Sequence, residues 1–333
     1  MSANSLYQTQ QLIANGMGMS VHDFRLYQSL AKYTPRDIAG WLHKEGGIVG
    51  QEAAVKEVAS VVYSHLHYSL RPKRNLLLIG STGCGKSEIM RSVQRFFSAN
   101  LGAKLGADMV RTADGTQLNA TGWKGGVKLA DVLKDVPQPF GCFLFIDEFD
   151  KLCSERYAGG NGGSWSVSEL LQEQLLTTLD HQTITLCGDD NKPFTVDTQK
   201  VSIICMGAFT GITEKKANTR SIGFAADSAV ASSADVTTED LIDYSMMPEI
   251  CGRLYPIIME PVSEDMMYLI AKKELQTLND TTELHITVPD AKLRYLAAQA
   301  FSTGQGGRGI LKQLQAELDQ RIYDDPCRDM YIL

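Results

Sequence analysis

The chain has 333 residues, of which 44% are hydrophobic and 21% charged, and its formal net charge is −7. This composition excludes a chain dominated by disorder and supplies enough apolar residues for one large core, or for a large and a smaller one. The acidic balance argues against a protein whose main work is neutralising nucleic-acid phosphates, although it leaves a local basic groove open.

Residues 1–45 are polar and helical in character, with Pro35 placed to start a helix. Residues 51–67 (QEAAVKEVASVVYSHLH) carry apolar positions at helical spacing and predict an amphipathic helix. Residues 75–79 (NLLLI) form a short apolar run ending at glycine, as a buried parallel strand does. Helical spacing resumes over 87–97, and three further apolar runs, at 109–110, 142–146 (CFLFI) and 201–205 (VSIIC), predict strands of the same sheet. Strands alternating with helices imply an α/β fold, a parallel sheet with helices on both faces. Between these runs, residues 158–164 (AGGNGGS) read as a glycine loop and residues 225–237, rich in Ala, Ser and Asp, as an exposed surface segment. After Pro261 the pattern predicts helices at 263–278, 290–301 and 308–323 and a short strand at 284–288. The expected organisation is an N-terminal helical segment (1–45), a large domain (46–260) and a small, mainly helical domain (261–333), with a hinge near 260–262.

The seven cysteines (Cys84, Cys142, Cys153, Cys187, Cys205, Cys251 and Cys327) are scattered singly, so neither a zinc ribbon nor a disulfide framework is expected. Thiols inside apolar runs fit a reducing, cytoplasmic setting. No apolar run reaches the ~20 residues of a membrane span, and the first ten residues lack the pattern of a secretion signal.

Two motifs carry chemistry. Gly80, Ser81, Thr82, Gly83, Cys84, Gly85, Lys86 and Ser87 match G-x-x-x-x-G-K-[ST], placed after an apolar strand and at the opening of a helix. Glycines let backbone N–H groups wrap a polyphosphate, and the helix N-terminus adds a favourable field. Lys86 then reaches the β and γ phosphates of ATP, and Ser87 ligates Mg²⁺. A chance glycine turn would lack the flanking strand and helix. The second motif, FLFIDE, ends a buried strand on Asp147 and Glu148. Two carboxylates there are costly unless they bind a cation or face a site. Asp147 suits Mg²⁺ held through water, and Glu148 suits the attacking water. No acceptor-substrate site is evident, so hydrolysis fits better than kinase chemistry.

With Ile48-Val49-Gly50-Gln51 ahead of them, and with Pro248-Glu249-Ile250-Cys251-Gly252-Arg253 and Gly306-Gly307-Arg308-Gly309 after them, these motifs follow the order found in AAA+ ATPases. The chain most resembles the ClpX/HslU branch, the hexameric protein unfoldases, over roughly residues 34–325. The resemblance implies a P-loop AAA+ large domain followed by a small lid domain, with ATP and Mg²⁺ as ligands. It implies that Ile48 and Val49 line the adenine pocket. Arg253 is similar to the finger that completes a neighbouring subunit's site, and Arg308 to the arginine that reaches the γ-phosphate from the lid. Trp123 and Lys124, in TGWKG, occupy the place of the aromatic pore loop that grips polypeptide. Ile222, Gly223 and Phe224 match the tripeptide with which the branch docks a ClpP-like peptidase.

The chain also departs from that branch. Its four-cysteine amino-terminal zinc module is not found in this sequence, residues 187–199 are acidic where the branch carries a basic substrate-facing loop, and only Thr210 stands near the sensor-1 position. The expected function is therefore an ATP-dependent hexameric unfoldase and translocase of protein substrates, feeding a ClpP-like peptidase, with no membrane partner. Two alternatives stay open: a remodelling ATPase without a peptidase partner, and a nucleic-acid motor or loader. The acidic balance and the Trp123 loop argue against the latter.

Overall fold

The computed structural model describes residues 3–16, 20–67, 73–120, 125–137, 140–153, 157–160, 163–188, 192–210, 212, 236–282, 284–304, 306–326 and 330–333. Five segments pair into one parallel sheet: β1 (Asn75–Ile79), β2 (Val110–Asp114), β3 (Cys142–Asp147), β4 (Val201–Gly207) and β5 (Leu254–Ile258). Their spatial order is β5-β1-β4-β3-β2. Parallel neighbours that are not consecutive in the chain require crossover connections, which is why the strands alternate with helices. The fold is thus the expected α/β architecture.

β5 adds a strand to those expected. Pro256 sits at its centre and argues against a strand in sequence, but β5 is an edge strand paired only with β1, where one missing donor is tolerated.

The sheet builds two cores because side chains along a strand alternate between faces. Leu76 and Leu78 of β1, with Phe143 and Phe145 of β3, face a layer made by α3 (Pro35–Lys44), α4 (Glu52–Leu66) and α5 (Lys86–Leu101). Leu77 and Ile79, with Leu144 and Ile146, face the opposite layer, which includes α6 (Val167–Leu179). Two earlier helices, at Ala3–Gly16 and Val21–Leu30, are tied by a hydrogen bond from Arg25 Nε to Gln10 Oε1 (3.1 Å). Pro35 opens α3 as expected, behind a Thr34–Asp37 capping box that satisfies its first donors.

The buried His65 of α4 pins that helix to the sheet. Its Nε2 donates to the Phe140 carbonyl (2.9 Å), so Nδ1 of the neutral ring accepts from Ser202 Oγ at the start of β4 (2.9 Å). Burial, followed by the nearby Lys73 charge, pushes the imidazole well below its ordinary value.

Beyond β5, α7 (Glu264–Thr281), α8 (Asp290–Ser302) and α9 (Gly306–Asp324) pack around a separate core that includes Met267, Leu293, Leu314 and Tyr331. Ser263 caps α7 by accepting from Met266 N (3.2 Å). The strand expected near 284–288 is His285–Thr287, and it gains a parallel partner in Met330–Ile332.

The segment read as a glycine loop contributes to a ribbon instead, and a second ribbon is one that no sequence reading anticipated. Tyr157–Gly160 pairs antiparallel with Gly163–Ser166, and Thr183–Cys187 with Pro193–Asp197. None of the six cysteines among the described residues forms a disulfide with another of them. No helix among those residues is long and apolar enough to cross a membrane.

Candidate functional site

The carboxyl ends of the strands open onto one cleft of about 430 Å³. Ligands of open α/β sheets bind at such strand ends, and the size suits a small molecule.

The first wall is the loop from β1 to α5. Gly80 N donates to the Gly207 carbonyl at the end of β4 (3.2 Å), so the loop starts locked to the sheet. No side chain fits at Gly80, because a Cβ there would lie 2.7 Å from Met259 Cβ and 2.8 Å from Cys84 Sγ. Gly83 (φ +85°) and Gly85 (φ +103°) adopt left-handed backbone that glycine alone takes readily. A Cβ at Gly85 would meet nothing within 4 Å, so the N-terminus of α5 faces open space. The field of a helix N-terminus beside open space favours an anion there. Lys86 folds its ammonium over the loop, donating to the Gly80 carbonyl and to the Ser81 carbonyl (3.0 Å).

The second wall is the end of β3. Ser87 Oγ donates to Asp147 Oδ2 (3.1 Å), bringing a hydroxyl and a carboxylate together from positions far apart in the chain. These are hard oxygen donors beside an open cleft, a set that fits Mg²⁺. Glu148 follows in left-handed backbone (φ +50°), with its N–H donating to Asp147 Oδ1 (2.9 Å). Such a conformation costs a non-glycine residue on the order of 1–3 kcal/mol and persists only where the surroundings impose it. Gly115 helps impose it: its N–H donates to the Asp147 carbonyl (2.7 Å), and a Cβ on it would sit 2.5 Å from the Glu148 carbonyl. The result is an exposed carboxylate turned toward the cleft while Asp147 stays at the strand end. Two residues beyond Glu148, Asp150 is buried; its Oδ1 accepts from Ala208 N (3.2 Å), and it pairs with Lys151 (3.3 Å). The Ala208–Asp150 hydrogen bond ties the segment after β3 to the end of β4.

Ile48 and Val49 line the cleft, as do Thr82, Gly83, Cys84, Gly85, Lys86, Ser87, Asp147, Glu148 and, from α9, Arg308. Thr210 also borders it. Arg253 does not line it. Its guanidinium binds the Asp180 carboxylate and the Glu249 carbonyl (2.8 Å) and is partly exposed. Trp123, Lys124, Ile222, Gly223 and Phe224 lie outside the described residues.

The structure adds a residue that motif reading treats only as part of a segment. Gln51 is 2% exposed and left-handed (φ +64°). Its amide donates to the Cys84 carbonyl of the phosphate loop (2.9 Å) and to the Glu260 carbonyl (2.7 Å), and accepts from Glu260 N (2.9 Å). One side chain therefore joins the loop to the stretch leading into α7. Replacement by leucine leaves these buried backbone groups unpaired, a cost of about 1–3 kcal/mol. Urea unfolding of Gln51→Leu should show that loss as a lower midpoint with an unchanged slope; an unaltered midpoint would refute the staple.

Comparison with known proteins bears on the whole chain. The family profile described as "AAA domain (Cdc48 subfamily)" matches residues 71–257, more than half of it. The chain is 27% identical over 354 aligned positions to an ATP-dependent Clp protease ATP-binding subunit ClpX of Azotobacter vinelandii, covering 91% of this chain and 77% of the relative. It is 24% identical over 333 positions to ClpX 2 of Wolinella succinogenes (89% and 78% covered) and 25% identical over 323 positions to ClpX of Bacteroides thetaiotaomicron (84% and 74% covered).

Proposed function

Because the chain belongs to the AAA domain family, Cdc48 subfamily, and is an ATP-hydrolysing enzyme of ClpX-like type, we propose that it is a hexameric unfoldase that threads protein substrates and delivers them to a ClpP-like peptidase. The observation that carries the catalytic half is the meeting of Ser87, Asp147 and Glu148 in a cleft that the lid enters through Arg308. The substrate half is supported by the names of the relatives, each the ATP-binding subunit of a Clp protease.

In this reading the phosphate loop binds the polyphosphate through backbone N–H groups, and Lys86 exchanges its loop carbonyls for β and γ phosphate oxygens. Ile48 and Val49 hold the base. Ser87 and Asp147 hold Mg²⁺, which supplies charge neutralisation on the phosphates. Glu148 orients a water molecule in line with the γ-phosphate and accepts its proton. Arg308 reaches the γ-phosphate from the lid, so that nucleotide state and lid position depend on each other. Arg253, outside the lining of its own cleft, completes the site of a neighbouring subunit; its permanent charge and planar fork suit phosphate oxygens. Trp123 and Lys124 grip the translocating chain, the ring offering apolar area indifferent to sequence. Residues 222–224 dock the peptidase.

The test compares ATP turnover alone, with an unfolded protein and with single-stranded DNA. Stimulation by the unfolded protein is expected, and Trp123→Ala should lose it; stimulation by DNA alone would overturn the unfoldase reading. Deleting residues 222–224 should abolish co-sedimentation with a ClpP-like ring. If the intact protein binds no such ring, a remodelling ATPase without a peptidase partner replaces the present proposal.

A further inference from the structure

Glu88 follows Ser87 on the first turn of α5 and is not part of the phosphate-loop motif. Its Oε1 accepts from Lys273 Nζ of α7 (2.7 Å) and from Arg95 Nη2 (2.7 Å), and its Oε2 accepts from Arg91 Nη1 (3.2 Å). The same Arg95 nitrogen donates to the Gly46 carbonyl. Gly47 lies against the Lys273 stem, where a Cβ would come within 2.7 Å of Lys273 Cε. One carboxylate thus joins three segments: the helix that carries Ser87, the stretch leading into Ile48 and Val49, and the first lid helix. Glu88, Lys273 and Arg91 also border the cleft.

The carboxylate is charged. Burial opposes its ionisation, but the hydrogen bonds from Lys273 and Arg95 outweigh burial and hold its carboxyl below the usual range. Both partners of the lid contact are about three-quarters buried, with 26% of the Glu88 side chain and 27% of the Lys273 side chain exposed. Solvent and salt screen such a pair less than an exposed one, and a charge-assisted hydrogen bond is stronger than a neutral one. The lid cannot swing away from α5 without separating Lys273 from Glu88.

We propose that Glu88 and Lys273 form a latch that holds the lid over the bound nucleotide, making Glu88 a positioning residue that sets how long ATP stays in the cleft. This inference rests on the ATP-binding reading of the cleft. The latch acts on the closed lid rather than on the reacting atoms, so its loss should weaken binding and speed release more than it slows turnover at saturation.

The experiment is a double-mutant cycle on the full chain with a fluorescent ATP analogue, measuring affinity, release rate, KM and kcat for Glu88→Gln, Lys273→Met and the double variant. Each single variant should bind about tenfold more weakly, the double no worse than the weaker single, and KM should rise more than kcat falls. Lys273→Arg keeps a cation within reach and should restore affinity to within about twofold of the starting protein. A simple field effect on the polyphosphate predicts something different: removing the Glu88 charge would tighten binding while removing the Lys273 charge weakens it. Opposite signs, additive losses, a loss confined to kcat, or unchanged affinity with only a lowered Tm would each overturn the latch. A starting protein that binds no ATP analogue would instead overturn the proposed function itself.

Discussion

Glu148→Gln should keep ATP affinity close to that of the starting protein and lose about 10²- to 10⁴-fold in kcat, the usual contribution of a positioned general base. The substitution is nearly isosteric. The left-handed backbone that turns this side chain toward the cleft is imposed by Gly115 and the Asp147 carbonyl, which the variant retains. What the amide lacks is the ability to take a proton from water. The variant is therefore expected to hold ATP unhydrolysed and to remain assembled. Equilibrium binding of a fluorescent ATP analogue, set beside phosphate release under saturating ATP, separates the two quantities. Turnover within about tenfold of the starting protein would remove Glu148 from the base role.

Lys86→Ala should fail earlier, at binding. Its ammonium is the only side-chain cation within the loop itself, where it donates to the Gly80 and Ser81 carbonyls. A bound triphosphate offers better acceptors at the same place, since its oxygens carry negative charge and pair with the ammonium as the neutral carbonyls do not. Losing such a contact costs on the order of 1.5–3 kcal/mol, so affinity should fall by roughly ten- to two-hundredfold. Isothermal titration with ATP and with ADP reads this directly. ATP should lose more than ADP, because Lys86 is assigned to the γ as well as the β phosphate. Equal, small losses for both nucleotides would place the ammonium away from the phosphates.

The two variants separate binding from chemistry, and Gln51→Leu separates both from fold stability. Together with the Glu88–Lys273 cycle they divide the cleft into four functions: holding phosphate, activating water, bracing the loop and keeping the lid closed.

Much of the cleft was legible in sequence because its residues are neighbours in the chain. Gly80 to Ser87 specify a strand, a turn and a helix start through local backbone preferences, and the five apolar residues of β1 demand burial wherever they lie. The FLFID run specifies β3 in the same way and sets Asp147 and Glu148 at its end. β5 was not legible, since Pro256 forbids a central strand and only the assembled sheet reveals an edge to receive it. Nor were the ribbons at 157–166 and 183–197, whose pairing depends on cross-strand register more than on composition.

The sequence by itself determined that this chain carries a phosphate loop and a pair of acids on the strands of an α/β sheet. These features are written in residues at fixed short spacing, and their physics is local. Only the tertiary structure decided that Ser87 meets Asp147, that Gln51 staples the loop to Glu260, that Arg308 borders the cleft while Arg253 binds Asp180 outside its lining, and that Glu88 holds Lys273. Those contacts join residues from 33 to 209 positions apart. No local preference encodes them, because each exists only once the sheet has fixed its strand order and tertiary packing has brought distant segments together.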